Sequence, residues 1–165
     1  MITTQRHTAL VAVIGAGLVL QFSLPSLADG MRTPPVNNAL VAKECSACHM
    51  LYPAGLLPAR SWGLLVRDLK DHFGDNAELD AETSQQVLSY LAANAADQTG
   101  RNPKVLRGLP SAAEPARITD LPWWKRKHEK KSRTSPATLT RKGAKFKGDC
   151  VACHKEAVQG FFDED

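Results

Sequence analysis

The pentapeptide Cys45-Ser46-Ala47-Cys48-His49, matched in kind by Cys150-Val151-Ala152-Cys153-His154, decides how the rest of this chain is read. Both are Cys-x-x-Cys-His, and together they use every cysteine present. Three chemistries compete for such pairs. A redox-active dithiol of the thioredoxin kind needs a βαβ setting, and neither pair follows a strand-like run. A zinc site built from both pairs must span the stretch from Cys48 to Cys150, far beyond the usual ~15–20 residues, and it leaves the adjacent histidines unexplained. Covalent haem attachment accounts for all of it. Two thiols add to the two vinyl groups of one macrocycle, and the histidine that follows falls beneath the iron as proximal ligand.

Upstream of the first motif, residues 1–28 carry one charge, Arg6, and an apolar run from Ala9 to Leu20 that extends to Leu24. Pro25 breaks the run, and Ser26-Leu27-Ala28 places small residues before a cleavage point. This pattern predicts a secretory signal peptide cut after Ala28 and a periplasmic protein. An uncleaved anchor is the weaker reading, because the run is short and contains Gly15, Gly17 and Gln21. Cleavage would leave 137 of the 165 residues.

The formal charge of +4 conceals an asymmetry. Residues 29–98 carry net −4, whereas residues 99–165 carry net +7. From Trp123 to Lys147 there are ten cations and one acid, Glu129. A solvated polar face explains such a block; docking of an acidic partner, or attraction to anionic lipid, explains it equally. Nucleic acid is not expected as a partner of an exported protein.

A six-coordinate haem iron takes two axial ligands from the protein. His7 falls within the signal, so four histidines remain for four axial positions. His49 and His154 are proximal by motif. His72 closes a segment, Arg60–Phe73, in which Trp62, Leu65, Val66, Leu69, His72 and Phe73 recur at helical spacing. That pattern predicts a helix with His72 on its apolar face, ended by Phe73-Gly74. His128 stands four residues after Trp124, on one face of a helix that Asp120 and Pro122 start. The alternatives are a core histidine at position 72 and a surface histidine at position 128. Methionine competes poorly. Met31 lies near the new terminus, and Met50 adjoins a proximal ligand and does not reach the opposite face. The simplest pairing is sequential, His49 with His72 and His154 with His128, and a crossed pairing stays open.

These readings make the chain mainly α. The first haem lobe is expected at residues 29–98, with helices over Val36–Cys48, Arg60–Phe73 and Ala81–Ala96, the last capped by Asp80. Residues 99–115 are expected to be a linker or a chain draped over the surface, since Gln98–Pro115 is rich in Gly, Pro and Arg. A second lobe at 116–165 has little apolar content and relies on its haem, so the haem-free chain is expected to fold poorly. Arg60 and Arg117 are candidates to pair with haem propionates.

With Cys48-His49-Met50-Leu51-Tyr52-Pro53-Ala54-Gly55-Leu56-Leu57-Pro58-Ala59-Arg60-Ser61-Trp62, Asp71–Ala77, Arg117-Ile118-Thr119, Trp123–His128 and Asp149–His154 in view, the chain resembles the bacterial dihaem cytochrome c family. The resemblance covers essentially all of the expected mature chain. It implies a first lobe similar to class I cytochromes c, a small irregular second lobe organised by its haem, and bis-histidine ligation with His72 and His128 as distal ligands. It also implies electron delivery to a small oxygen-binding monohaem cytochrome, and contact with membrane b-type cytochromes. Electron carriage between redox partners is therefore expected, with no catalytic residues. The alternative is a haem enzyme, a peroxidase or small-oxide reductase, with a labile distal ligand.

Overall fold

The structure, a computed structural model, describes residues 30–98, 104–129 and 133–162. The expected signal segment, residues 99–103 of the expected linker, and Lys130 and Lys131 of the basic block lie outside those residues. Among the described residues five α-helices carry the architecture: α1 (Ala39–Cys45), α2 (Ala59–Arg67), α3 (Ala81–Ala93), α4 (Pro122–His128) and α5 (Pro136–Lys142). Two-residue strands β1 (Met31–Arg32) and β2 (Phe161–Phe162) pair antiparallel, Met31 opposite Phe162 and Arg32 opposite Phe161. The described residues are thus mainly helical, and their first and last segments are joined by this pairing.

Local chemistry sets most boundaries. The side-chain oxygens of Asn38, Asp80 and Ser135 accept from the backbone N–H groups of Val41, Thr83 and Thr138, capping α1, α3 and α5. Each satisfies a donor that the helix cannot satisfy itself. Pro122 and Pro136 occupy first-turn positions, where a missing N–H costs nothing. Gly143, in the left-handed region at φ 70°, closes α5. α1 starts three residues later than its apolar pattern predicts, because the chain is still extended at its cap.

α2 is shorter than predicted. It stops at Arg67, a 3₁₀ turn over Leu69–Asp71 follows, and His72 lies outside any helix. His72 and Asp75 exchange backbone hydrogen bonds of 2.8 and 3.3 Å around a two-residue turn. Both central residues have positive φ, Phe73 at 61° and Gly74 at 102°, the pattern of a type I′ turn. The helical spacing of His72 and Phe73 is therefore coincidental. The hairpin bonds and the bond from Ala77 N–H to the Leu69 carbonyl, 2.8 Å, outcompete continuation of the helix.

α2 packs against α3, and α1 also contacts α3. One buried cluster runs from Met31 and Val41 through Leu56, Leu57, Trp62, Val87 and Leu91 to Val105, Leu121 and Trp124. Trp62 is anchored there by donating its indole N–H to the Ala54 carbonyl at 2.8 Å. Residues 104–115 drape over this core. Val105 is fully buried, and Arg60 donates to the Ala113 carbonyl at 2.6 Å. At the seam between the ends, Gly160 has φ 85°, and its carbonyl accepts from Thr33 N–H at 2.9 Å. A Cβ at Gly160 would collide with the Thr33 carbonyl oxygen.

Candidate haem-binding sites

The fold brings the four histidines together two by two. The rings of His49 and His72 have centroids 6.2 Å apart, and those of His128 and His154 are 6.1 Å apart. Two imidazoles that reach one metal from opposite sides, each through a bond of about 2 Å, place their centroids about 6 Å apart. The observed spacing suits a metal between each pair, and the pairs follow sequence order.

His49 Nδ1 lies 2.7 Å from the Met50 carbonyl oxygen, and His128 Nδ1 lies 2.9 Å from the Trp124 carbonyl oxygen. A carbonyl only accepts, so in each case Nδ1 carries the hydrogen and the Nε2 lone pair is left for a metal. This arrangement orients ligating histidines and raises their basicity. The His128 ring also stacks on the Trp124 indole, centroids 4.3 Å apart and planes within 8°. α4 makes both contacts possible, because residues four apart share a face.

The His72 site is built differently. Its ring touches the Phe73 ring, centroids 4.8 Å apart, and the Arg117 guanidinium sits 3.7 Å from the Phe73 centroid. Burial first, then His49 and Arg117, hold His72 below its usual pKa, which favours the neutral imidazole that a metal binds. Asp75 opposes them. A cleft of about 390 Å³ opens beside this turn, lined by Leu64, Leu65, Asp68, His72 and Arg117 among others. Arg60 is engaged elsewhere, by the Ala113 carbonyl and by Asp97 at 3.5 Å. Its Nη2 also reaches the Pro110 carbonyl, at 3.4 Å.

All four cysteines are unbridged thiols. Burial, with Glu44 beside it, pushes the Cys45 thiol up; burial and then Asp149 push Cys150 up to about 12. Among the described residues no three His, Cys, Asp or Glu side chains converge as a metal cluster. Four thiols with an imidazole directly after each pair fit covalent haem attachment.

Three contacting residues are not implied by the motif spacing. Tyr52 packs against His49 in a tilted ring contact, centroids 4.8 Å apart. Phe162 of β2 meets His154 edge-on at 5.9 Å. Phe73 supports His72. Tyr52 and Phe73 stand beside motif residues, a weak signal in hindsight; Phe162 carries none, since it arrives through strand pairing.

A helical chain with two Cys-x-x-Cys-His segments, each facing a second histidine, defines a c-type haem protein. Residues 41–162 match the model of the dihaem cytochrome c family, and the chain belongs to that family. It is similar to the diheme cytochrome c from Rhodobacter sphaeroides, at 48% identity and TM-score 0.70, covering 78% of this chain and 99% of that one. A second structure, of DHC purified from Rhodobacter sphaeroides, matches at 45% identity and TM-score 0.64 over 78% of this chain and 99% of that one. The diheme cytochrome c of Shewanella baltica OS155 matches at 33% identity and TM-score 0.60, over 76% of this chain and 87% of that one. No curated protein sequence matches the chain. Family membership brings two covalently bound c-type haems with their iron.

Proposed function

We propose that this chain is a periplasmic electron carrier whose two haems are each held between two histidines, His49 with His72 and His154 with His128. The observation that carries the reading is the pair of inter-ring distances, 6.2 and 6.1 Å. When bound, the haems supply a one-electron Fe(III)/Fe(II) couple. Cys45, Cys48, Cys150 and Cys153 hold them as thioethers. The Nδ1–H groups of His49 and His128 donate to carbonyls and keep each ring aimed along its bond. Were His49 with His72, and His154 with His128, to ligate one iron each, they would leave no position there for a substrate.

Lys125, Arg126 and Lys127 directly precede His128 and are exposed, as are Arg141, Lys142 and Lys145 further along the block. Lys147 lies 5.9 Å from the Trp124 ring and 3.5 Å from Glu129, the one acid of that block. We assign this face to docking of an acidic redox partner. A small monohaem cytochrome and a membrane b-type cytochrome are the partners proposed. Among the described residues no helix is long and apolar enough to cross a membrane.

The test is low-temperature EPR of the oxidised protein carrying His72→Ala or His128→Ala. Each variant should lose one of two low-spin bis-imidazole signals. A variant that keeps both would refute the ligand assignment. A second reading, a haem enzyme with a labile ligand, is favoured only by the position of His72 on a turn beside an open cleft. Rapid, stoichiometric binding of carbon monoxide by the reduced protein would select it.

A further inference from the structure

Tyr52 touches both haem-binding sites. Its ring packs against that of His49, centroids 4.8 Å apart and planes tilted by 36°. Its hydroxyl donates to the Gly148 carbonyl at 2.8 Å, across 96 positions of sequence. The same carbonyl oxygen accepts from Cys150 N–H at 2.8 Å and lies 3.2 Å from Cys150 Sγ. Only the N–H donor survives once that sulfur becomes a thioether. One oxygen thus joins the ring on the first proximal histidine to the backbone of the second attachment cysteine.

Gly148 is shaped for this contact. A Cβ there would lie 3.1 Å from the Tyr52 hydroxyl and 3.0 Å from the Phe146 ring.

We infer that Tyr52 is the positioning residue that sets the second haem-attachment motif against the first, and that it supplies a bonded route between them. This rests on the electron-carrier reading above. Electron tunnelling weakens steeply across empty gaps and less across bonded contacts, so a residue that spans both sites governs the exchange of an electron between them. The path runs from the His49 ring through the Tyr52 ring and hydroxyl to the Gly148 carbonyl, and on to Cys150 N–H.

The experiment uses the intact dihaem protein carrying Tyr52→Phe, which keeps the ring and removes the hydroxyl. Gly148→Ala disturbs the same contact from the other side. Inter-haem exchange is read from NMR line broadening of the half-reduced protein, and ligation from EPR of the oxidised protein. Both variants should retain two haems and both low-spin signals, while exchange slows about tenfold, equivalent to ~1.4 kcal/mol on the barrier. Unchanged exchange in both variants would overturn the inference and leave the carrier reading standing. Loss of a low-spin signal in Tyr52→Phe would also overturn it, because the hydroxyl would then be supporting iron ligation. The carrier reading itself fails only on the histidine variants and carbon monoxide binding.

Discussion

The His128 imidazole lies flat on the Trp124 indole, with 4.3 Å between centroids, and its Nδ1 is 2.9 Å from the carbonyl of the same tryptophan. One residue therefore controls both the rotation of the ring and its tautomer. Trp124 is also 4% exposed, so the support is itself fixed by the core. His72 has a softer mount: an exposed turn, a phenylalanine with φ 61°, and an arginine stacked behind it. The two distal candidates are held by different physics.

Trp124→Leu removes the stack but keeps the backbone carbonyl. The low-spin EPR signal that disappears in His128→Ala should shift, and the other should not. Loss of the buried indole should also lower stability by about 2–4 kcal/mol in a guanidinium titration. Equal shifts of both signals would contradict the local role given to this residue.

Gly160→Ala should be among the most damaging small substitutions. The added Cβ meets the Thr33 carbonyl oxygen, and the residue sits at φ 85°. The left-handed conformation alone costs about 1–2 kcal/mol for a residue other than glycine. Displacement of Thr33 adds to that by opening the β1–β2 pairing beside Met31 and Phe162. Denaturant midpoints should fall by more than the backbone term alone; a fall within it means that the seam yields freely.

Electron transfer to an acidic partner should slow as salt rises. Screening lengths shrink from about 30 Å at 0.01 M to about 3 Å at 1 M, so steering by the basic face fades over that range. Stopped-flow rate constants should drop steeply between those limits. Reversing two exposed cations, Lys127→Glu with Lys145→Glu, should lower the low-salt rate roughly tenfold or more and flatten its salt dependence. The first-lobe pair Lys43→Glu with Lys70→Glu should do much less.

The α3 cap should register acid. The Asp80 carboxylate accepts from Thr83 hydroxyl and backbone N–H at 2.6 and 2.9 Å, which holds its pKa below the usual 3.8. A lowered folded-state pKa means that the stabilisation is fully present above pH 3.8 and is lost as pH falls through the lower folded value. Asp80→Ala should therefore lower Tm at pH 7, and the gap to the parent should narrow below pH 3.8. Asp80→Asn, which caps without charge, should show a smaller and flatter difference. A gap independent of pH would mean that the carboxylate's charge is irrelevant to the cap.

Local patterns made much of this legible. Asp80 and Ser135-Pro136 announce helix starts because capping and proline geometry are decided by adjacent residues. The two Cys-x-x-Cys-His segments announce their chemistry because the thiols and imidazole lie within one turn of chain. The end of α2 was not legible. Apolar residues at three- and four-residue spacing continue through His72 and Phe73, and the backbone leaves the helix only because Asp75 and Ala77 return to bond with His72 and Leu69. The bonds from Arg60 to the Ala113 and Pro110 carbonyls were likewise not legible, because they join segments some fifty residues apart.

By itself the sequence determined the helical class, the number of haem-attachment sites and the four histidines available to two irons. Those follow from residue identity at short spacing, where chain geometry leaves few options. Only the tertiary structure decided which histidine faces which, that Tyr52 spans both sites, and that Phe162 reaches His154 through the pairing of the chain ends. These are contacts between residues far apart in sequence. They depend on how α2, α3 and α4 share one core, and no local pattern encodes that.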